Sequence, residues 1–207
     1  MVKRFATPQE AFWAGEFGTE YGRRNTGAGI LASNVHLFSK ILEHAPGVTS
    51  VLELGANIGL NLHAIRSLLP DVELDAVELN KSAAEELARW GHARVHVQSL
   101  LEFRAHRQWD MTLSKGVLIH VAPDQLGKAY DLLHAAAKTY ICICEYYSRS
   151  PVTVSYRGHG DVLFKRDFAG DMLDRFPDLR LVACGFEYHR ASVFPMDDVT
   201  WFLLRKQ

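Results

Sequence analysis

Val51-Leu-Glu-Leu-Gly-Ala-Asn-Ile-Gly-Leu-Asn61 is the stretch whose reading decides the fold. The apolar run Val51 to Leu54 reads as a short buried strand that delivers the chain into a glycine-containing turn, and a helix comes directly after it. Gly55 permits a tight turn and close backbone approach to a ligand, and Gly59 permits close packing of the helix. The spacing is Glu53-x-Gly55-x-Asn57-x-Gly59. A dinucleotide site requires G-x-G-x-x-G at this junction, so the pattern argues against one. Asn57 holds the middle position, and asparagine is one of the few residues that tolerate a left-handed backbone.

Working outward, strands and helices alternate from residue 48 onward. Strands are predicted at Thr49–Leu54, Glu73–Leu79, Val95–Gln98, Trp109–Ser114 and Thr139–Tyr146, and near 179–188 and 199–205. Helices are predicted at Asn61–Leu69, stopped by Pro70-Asp71, at Lys81–Trp90, at Asp124–Ala136 and at 167–176. Such alternation implies an α/β fold with a mostly parallel sheet covered on both faces. The last two strands, with only a short link between them, read as an antiparallel hairpin closing the sheet. The first 47 residues read as a partly irregular helical segment. One helix starts at Pro8, Gly15, Gly18 and Gly22 punctuate the stretch after it, and a second helix runs from Ser33 to Ala45.

Composition narrows the function. Of 207 residues, 23 are Lys or Arg and 24 are Asp or Glu, a net charge of −1, which lacks the basic excess of a nucleic-acid binder. No run approaches the roughly 18 apolar residues of a membrane span, and the N-terminus shows no signal peptide, so a cytoplasmic protein is expected. Cys142, Cys144 and Cys184 form neither a disulfide framework nor a metal-ligand cluster. Cys142 and Cys144 alternate with Ile141 and Ile143 and read as one face of a buried strand.

The opening motif resembles the acidic-x-G-x-G-x-G signature of S-adenosylmethionine-dependent methyltransferases, with Asn57 for the middle glycine. The resemblance implies a Rossmann-like seven-stranded domain over 48–207, with residues 1–47 as a helical lid. It implies S-adenosyl-L-methionine as cofactor and S-adenosyl-L-homocysteine as product. Cofactor contacts would fall on Tyr21, Glu53, Gly55, Asn57, Gly59, Asn61, Glu78, Leu79, Ser99, Leu100 and Lys115. Glu78 closes the second strand 19 positions beyond Gly59, where a carboxylate can accept both ribose hydroxyls. Ser99 comes after the third strand, where these enzymes usually contact the adenine amino group, commonly through Asp. Lys115 ends the fourth strand, and His120 reads as cofactor-lining or as a general base.

Further blocks resemble the pseudaminic acid biosynthesis-associated methylases. They are Phe12-Trp-Ala-Gly-Glu-Phe-Gly-Thr-Glu-Tyr21, Ala32 to Leu42, Glu145-Tyr-Tyr, Tyr156-Arg-Gly-His, Leu163 to Gly170 and Asp197 to Leu204. This implies a small-molecule acceptor such as a nonulosonic sugar acid or its precursor. Two chemical readings compete for the pocket. In one, Arg157, Lys165, Arg166 and Arg190 hold a carboxylate, tyrosines line a sugar ring, and His159 or His189 serves as base. In the other, the acceptor is an amine or guanidine such as arginine, held by Glu16, Glu20, Glu145 and Asp167 within an aromatic wall. Candidate catalytic residues are Glu16, Glu145, Tyr147 and His120, and candidate substrate contacts are Phe12, Trp13, Tyr146, Tyr156, Arg157 and Arg166. No metal, nucleic acid or membrane partner is expected, and a monomer or homodimer is. A non-catalytic S-adenosylmethionine-binding protein is the remaining alternative.

Overall fold

The computed structural model describes residues 5–207, apart from the side chains of His159 and Asp161, so His159 as a candidate base lies outside the described residues. Three helices open the chain: α1 (Pro8–Ala14), α2 (Glu16–Arg24) and α3 (Ala28–Leu42). Next come β1 (Ser50–Leu54), α4 (Leu60–Leu68), β2 (Glu73–Glu78), α5 (Lys81–Trp90), β3 (Arg94–Val97), β4 (Trp109–Lys115), α6 (Leu126–Ala136) and β5 (Ala137–Glu145). The chain ends with β6 (Val152–Tyr156), β7 (His159–Lys165), α7 (Phe168–Arg175), β8 (Leu179–Glu187) and β9 (Val199–Lys206).

Seven strands form one sheet in the order β3-β2-β1-β4-β5-β9-β8. The first five are parallel, and β9 runs antiparallel to both β5 and β8. The period of two along each strand sorts the core into two layers. Leu52, Leu54, Ile141 and Ile143 face α6 and α7, while Val51, Cys142 and Cys144 face α3 and α4. Because both faces are covered, the central strands are buried nearly throughout. The loops after β1, β2, β4 and β5 therefore gather at one edge, beyond the carboxyl ends of the strands, where open α/β sheets bind ligands. No helix among the described residues is long and apolar enough to cross a membrane.

Three features differ from the sequence reading. Residues 16–24 form a regular helix, because Gly18 and Gly22 are a close-packing face rather than breaks: both are buried. A Cβ at Gly18 would lie 1.9 Å from the Trp13 carbonyl oxygen. The link between β8 and β9 is long, spanning 188–198. Finally, β6 and β7 pair as a separate antiparallel hairpin over a segment for which the sequence predicts no strand.

Candidate active site

The opening motif folds as a left-handed staircase. Gly55, Asn57 and Gly59 have φ of 73°, 50° and 85°, so all three positions lie where a β-carbon is disfavoured. At Gly55 there is a second reason, since a Cβ would stand 2.5 Å from Val117 Cγ2 in the loop after β4. At Gly59 a Cβ would meet Leu87 Cδ1 of α5 at 2.3 Å, so this glycine admits α5 rather than the strand. Glu78 holds the staircase in place. Its Oε2 accepts from the Asn57 backbone N–H at 2.7 Å and its Oε1 from Asn80 N–H at 2.6 Å. Burial nonetheless raises its carboxyl above the ordinary range.

Beneath the loop, Glu53 is fully buried. Its Oε1 accepts from Asn61 Nδ2 at 2.6 Å, and its Oε2 has no partner among the described residues. Burial pushes its pKa up to about 7, against the Asn61 hydrogen bond and the positive charge of Lys115, which lower it.

Above these loops lies a cavity of about 480 Å³, within the usual range for small-molecule sites. The loops of the sheet contribute Gly55, Asn57, Asn61, Glu78, Leu79, Leu100 and Lys115 to its lining. Trp13, Tyr21, His120, Tyr146, Tyr156 and Asp197 give the lining an aromatic part. Trp13 packs against Tyr21 and His120 with ring centroids 5.3 Å and 4.4 Å away. Tyr146 donates its hydroxyl to Asp197 at 2.8 Å. Burial lifts the Tyr21 phenol to about 12. His120 is driven down to about 4 by burial, so its ring is neutral near pH 7. Its Nδ1 lies 2.5 Å from the Val162 carbonyl, which assigns the proton to Nδ1 and leaves Nε2 as an acceptor.

The N-terminal helices roof this cavity, and Asn80 ties them down. Its Oδ1 accepts from Ala83 N–H at 3.1 Å and caps α5, while Nδ2 donates to the Trp13 carbonyl at 3.0 Å. Asn34 on α3 also lines the cavity; it is 2% exposed and its Oδ1 has no partner among the described residues. Asn34, Asn80, Asp197 and Glu10 do not stand out in the sequence as site residues. Only two have a local signal there: Asn80 as a cap directly after a strand, and Glu10 in the capping box Thr7-x-x-Glu10.

Several expected residues lie elsewhere. Glu145, a candidate base for an amine or guanidine, is not among the cavity-lining residues. Its Oε1 accepts from Ser114 Oγ at 2.8 Å and from the Val117 and Leu118 N–H groups at 3.0 Å, so the carboxylate organises the turn after β4. Tyr147 and Arg166 sit with Glu145 in a separate narrow crevice beside Phe168 and Phe202. Arg166 is paired with Asp171 at 2.7 Å. Glu16 is exposed in the first turn of α2, and Phe12 packs on Phe17 at 4.2 Å instead of lining the cavity. Arg157 occupies the β6–β7 turn with φ 50°, its guanidinium 5.7 Å from the Tyr156 ring centroid. Asp167 caps α7, accepting from Gly170 N–H at 2.8 Å. Ser99 is buried outside the cavity and donates to Glu10. None of Arg157, Lys165, Arg166, Arg190, Glu16, Glu20, Glu145 and Asp167 is among the cavity-lining residues, whereas His189 is, paired with Asp198 at 2.8 Å, and Asp197 is the carboxylate beside the tyrosines.

No protein-family model matches the sequence, and no curated protein is significantly similar to it. Solved structures do match in fold. The chain aligns over 100% of its length with 93% of the Burkholderia thailandensis 1,6-didemethyltoxoflavin-N1-methyltransferase, bound to that compound and S-adenosylhomocysteine, at a TM-score of 0.70 and 18% identity. It aligns over 99% of its length with all of the Synechocystis PCC 6803 magnesium protoporphyrin IX methyltransferase bound to S-adenosylmethionine, at 0.69 and 11%. It aligns over 91% of its length with 95% of Streptomyces venezuelae DesVI, at 0.63 and 13%. The chain has the Rossmann-like fold of class I methyltransferases.

Proposed function

We propose that the protein is an S-adenosylmethionine-dependent methyltransferase acting on a hydroxyl or amine of a small polar molecule. The observation that carries this reading is one cavity lined by both the left-handed staircase with Glu78 and the aromatic chamber. The residues around the staircase fit the cofactor. Gly55 exposes bare backbone to the cavity, Glu78 presents a buried carboxylate to ribose hydroxyls, and Leu79 and Leu100 offer apolar walls. Glu53 is buried and is not among the residues that line the cavity; it accepts from Asn61, which does line it, and so acts by positioning Asn61 at the methionine end. Residues 5–47 then act as the lid over a domain formed by the rest of the chain.

The cofactor would supply an activated methyl as a sulfonium, so the protein's task is chiefly to hold the acceptor in line. Trp13, Tyr21, Tyr146 and Tyr156 shape the chamber and shield it from water. The acceptor's lone pair would be held in line with that methyl, whose carbon–sulfur bond would break to leave the thioether, and the acceptor's proton would depart to solvent or, through a hydrogen bond, toward His120 Nε2. A ring with a pKa near 4 is a weak base, so His120 orients more than it deprotonates.

The sequence blocks that resemble the pseudaminic acid-associated methylases support a nonulosonic sugar acid or precursor. A second reading, N-methylation of an amine, draws on the chamber itself: Asp197 and three phenols favour a donor-rich or cationic acceptor over a carboxylate. A mass screen separates them. The protein and S-adenosylmethionine are incubated with sugar acids, their nucleotide-activated forms, amines and guanidines. A gain of one methylene's mass on a sugar acid supports the first reading, and on an amine the second. Binding of S-adenosylhomocysteine without any methylated product would favour a non-catalytic binding protein, and no binding at all would sink the proposal.

A further inference from the structure

We infer that Glu10, carried on the N-terminal helix α1, accepts the exocyclic amino group of the cofactor's adenine, with Ser99 positioning it. The inference rests on the proposed S-adenosylmethionine site. If the ribose lies on Glu78, the methionine end points to Gly55, Asn61 and Lys115, and the base must lie in the opposite direction. That direction leads past Leu79 to Leu100 and Leu101, and then to Thr7 and Glu10, all lining the same cavity. Leucine side chains suit the faces of a purine. Its edge presents an amino donor that needs an acceptor once water is excluded.

Ser99 cannot be that acceptor. It lies outside the cavity, its hydroxyl donates to Glu10 Oε1, and its oxygen accepts from Leu101 N–H at 2.9 Å. Glu10 can. A carboxylate has about four acceptor positions. Oε2 takes Ala6 N–H at 2.8 Å and Thr7 N–H at 3.1 Å, and Oε1 takes Ser99, which leaves one position on Oε1. The same carboxylate closes the capping box of α1. Adenine recognition is thereby tied to the seating of the roof.

The test is calorimetric titration with S-adenosylhomocysteine and with S-inosylhomocysteine, in which a carbonyl oxygen replaces the amino group. Wild type should prefer the amino form by at least about tenfold, because the carbonyl would face a carboxylate. Glu10→Ala and Glu10→Gln should weaken the amino form and collapse the preference below about threefold. Ser99→Ala should lower it partially. Loss of α1 packing alone would weaken both ligands equally and leave the preference intact. An unchanged preference in both Glu10 variants, or none in wild type, overturns the assignment while the cofactor reading stands. Failure of wild type to bind either ligand overturns both.

Discussion

Ser114 and Glu145, at the ends of neighbouring strands β4 and β5, are joined by a 2.8 Å hydrogen bond from hydroxyl to carboxylate. The same oxygen receives two backbone N–H groups of the next turn, which carries the walls of the cavity. Glu145→Gln keeps a carbonyl oxygen for these three donors, so turnover should stay within about threefold of wild type. Glu145→Ala leaves buried donors unpaired and should cost about 3 kcal/mol in denaturant unfolding. Loss of a hundredfold or more in turnover by a stably folded Glu145→Gln would instead make this residue a base.

Asn80 predicts how the roof is fastened. Asn80→Asp retains the acceptor that caps α5 but sets a carboxylate against the Trp13 and Gly15 carbonyls, 3.0 Å and 3.3 Å from Nδ2. Limited proteolysis within residues 15–27 should accelerate at least about tenfold, while global stability changes by about 1 kcal/mol. Unaltered cleavage would mean that the roof is held by its aromatic contacts alone.

Asn34 is buried without a partner for its carbonyl oxygen among the described residues, an arrangement that costs stability. Asn34→Leu should leave the melting temperature unchanged or raise it by a few degrees. With the acceptor found by the mass screen, KM should rise at least about tenfold. A raised melting temperature with unchanged KM would reduce Asn34 to a packing residue.

Glu53 predicts a pH effect. A carboxyl whose folded pKa, about 7, exceeds its unfolded value holds its proton more tightly when folded. Its contribution to stability is full below the ordinary carboxylate range and is lost as pH rises to about 7. Glu53→Gln cannot ionise, so its stability relative to wild type should increase between pH 5 and pH 8, by on the order of 3 kcal/mol. A difference that stays flat across that range would show that Glu53 titrates normally.

The sheet and its first loop were legible because they rest on local signals: the apolar period of β1, the left-handed positions 55, 57 and 59, and Glu78 at a strand end. Gly18 and Gly22 misled because a glycine marks close approach as readily as a break, and only the packing partners, Trp13 and Asn57, distinguish the two. The β6–β7 hairpin carries a readable turn at Arg157-Gly158, with φ of 50° and 84°, but its strands pair apart from the main sheet. Glu145 at a strand end looks catalytic because sequence gives the position of a carboxylate and not the direction it faces. Asp197 and Tyr146 meet across 51 residues, and no local pattern encodes such a meeting.

Among the cavity-lining residues, Tyr21, Asn34, Tyr156 and Asp197 come from α2, α3, β6 and the long link after β8, whereas Asn57, Leu79 and Leu100 come from the loops after β1, β2 and β3. These two sets thus occupy different stretches of chain, and α1, which carries both Glu10 and Trp13, bridges them. Under the proposed function, randomising Tyr21, Asn25, Asn34, Tyr156 and Asp197 would sample new acceptors without altering the loops after β1, β2 and β3, which makes this scaffold a natural starting point for retargeted alkylation.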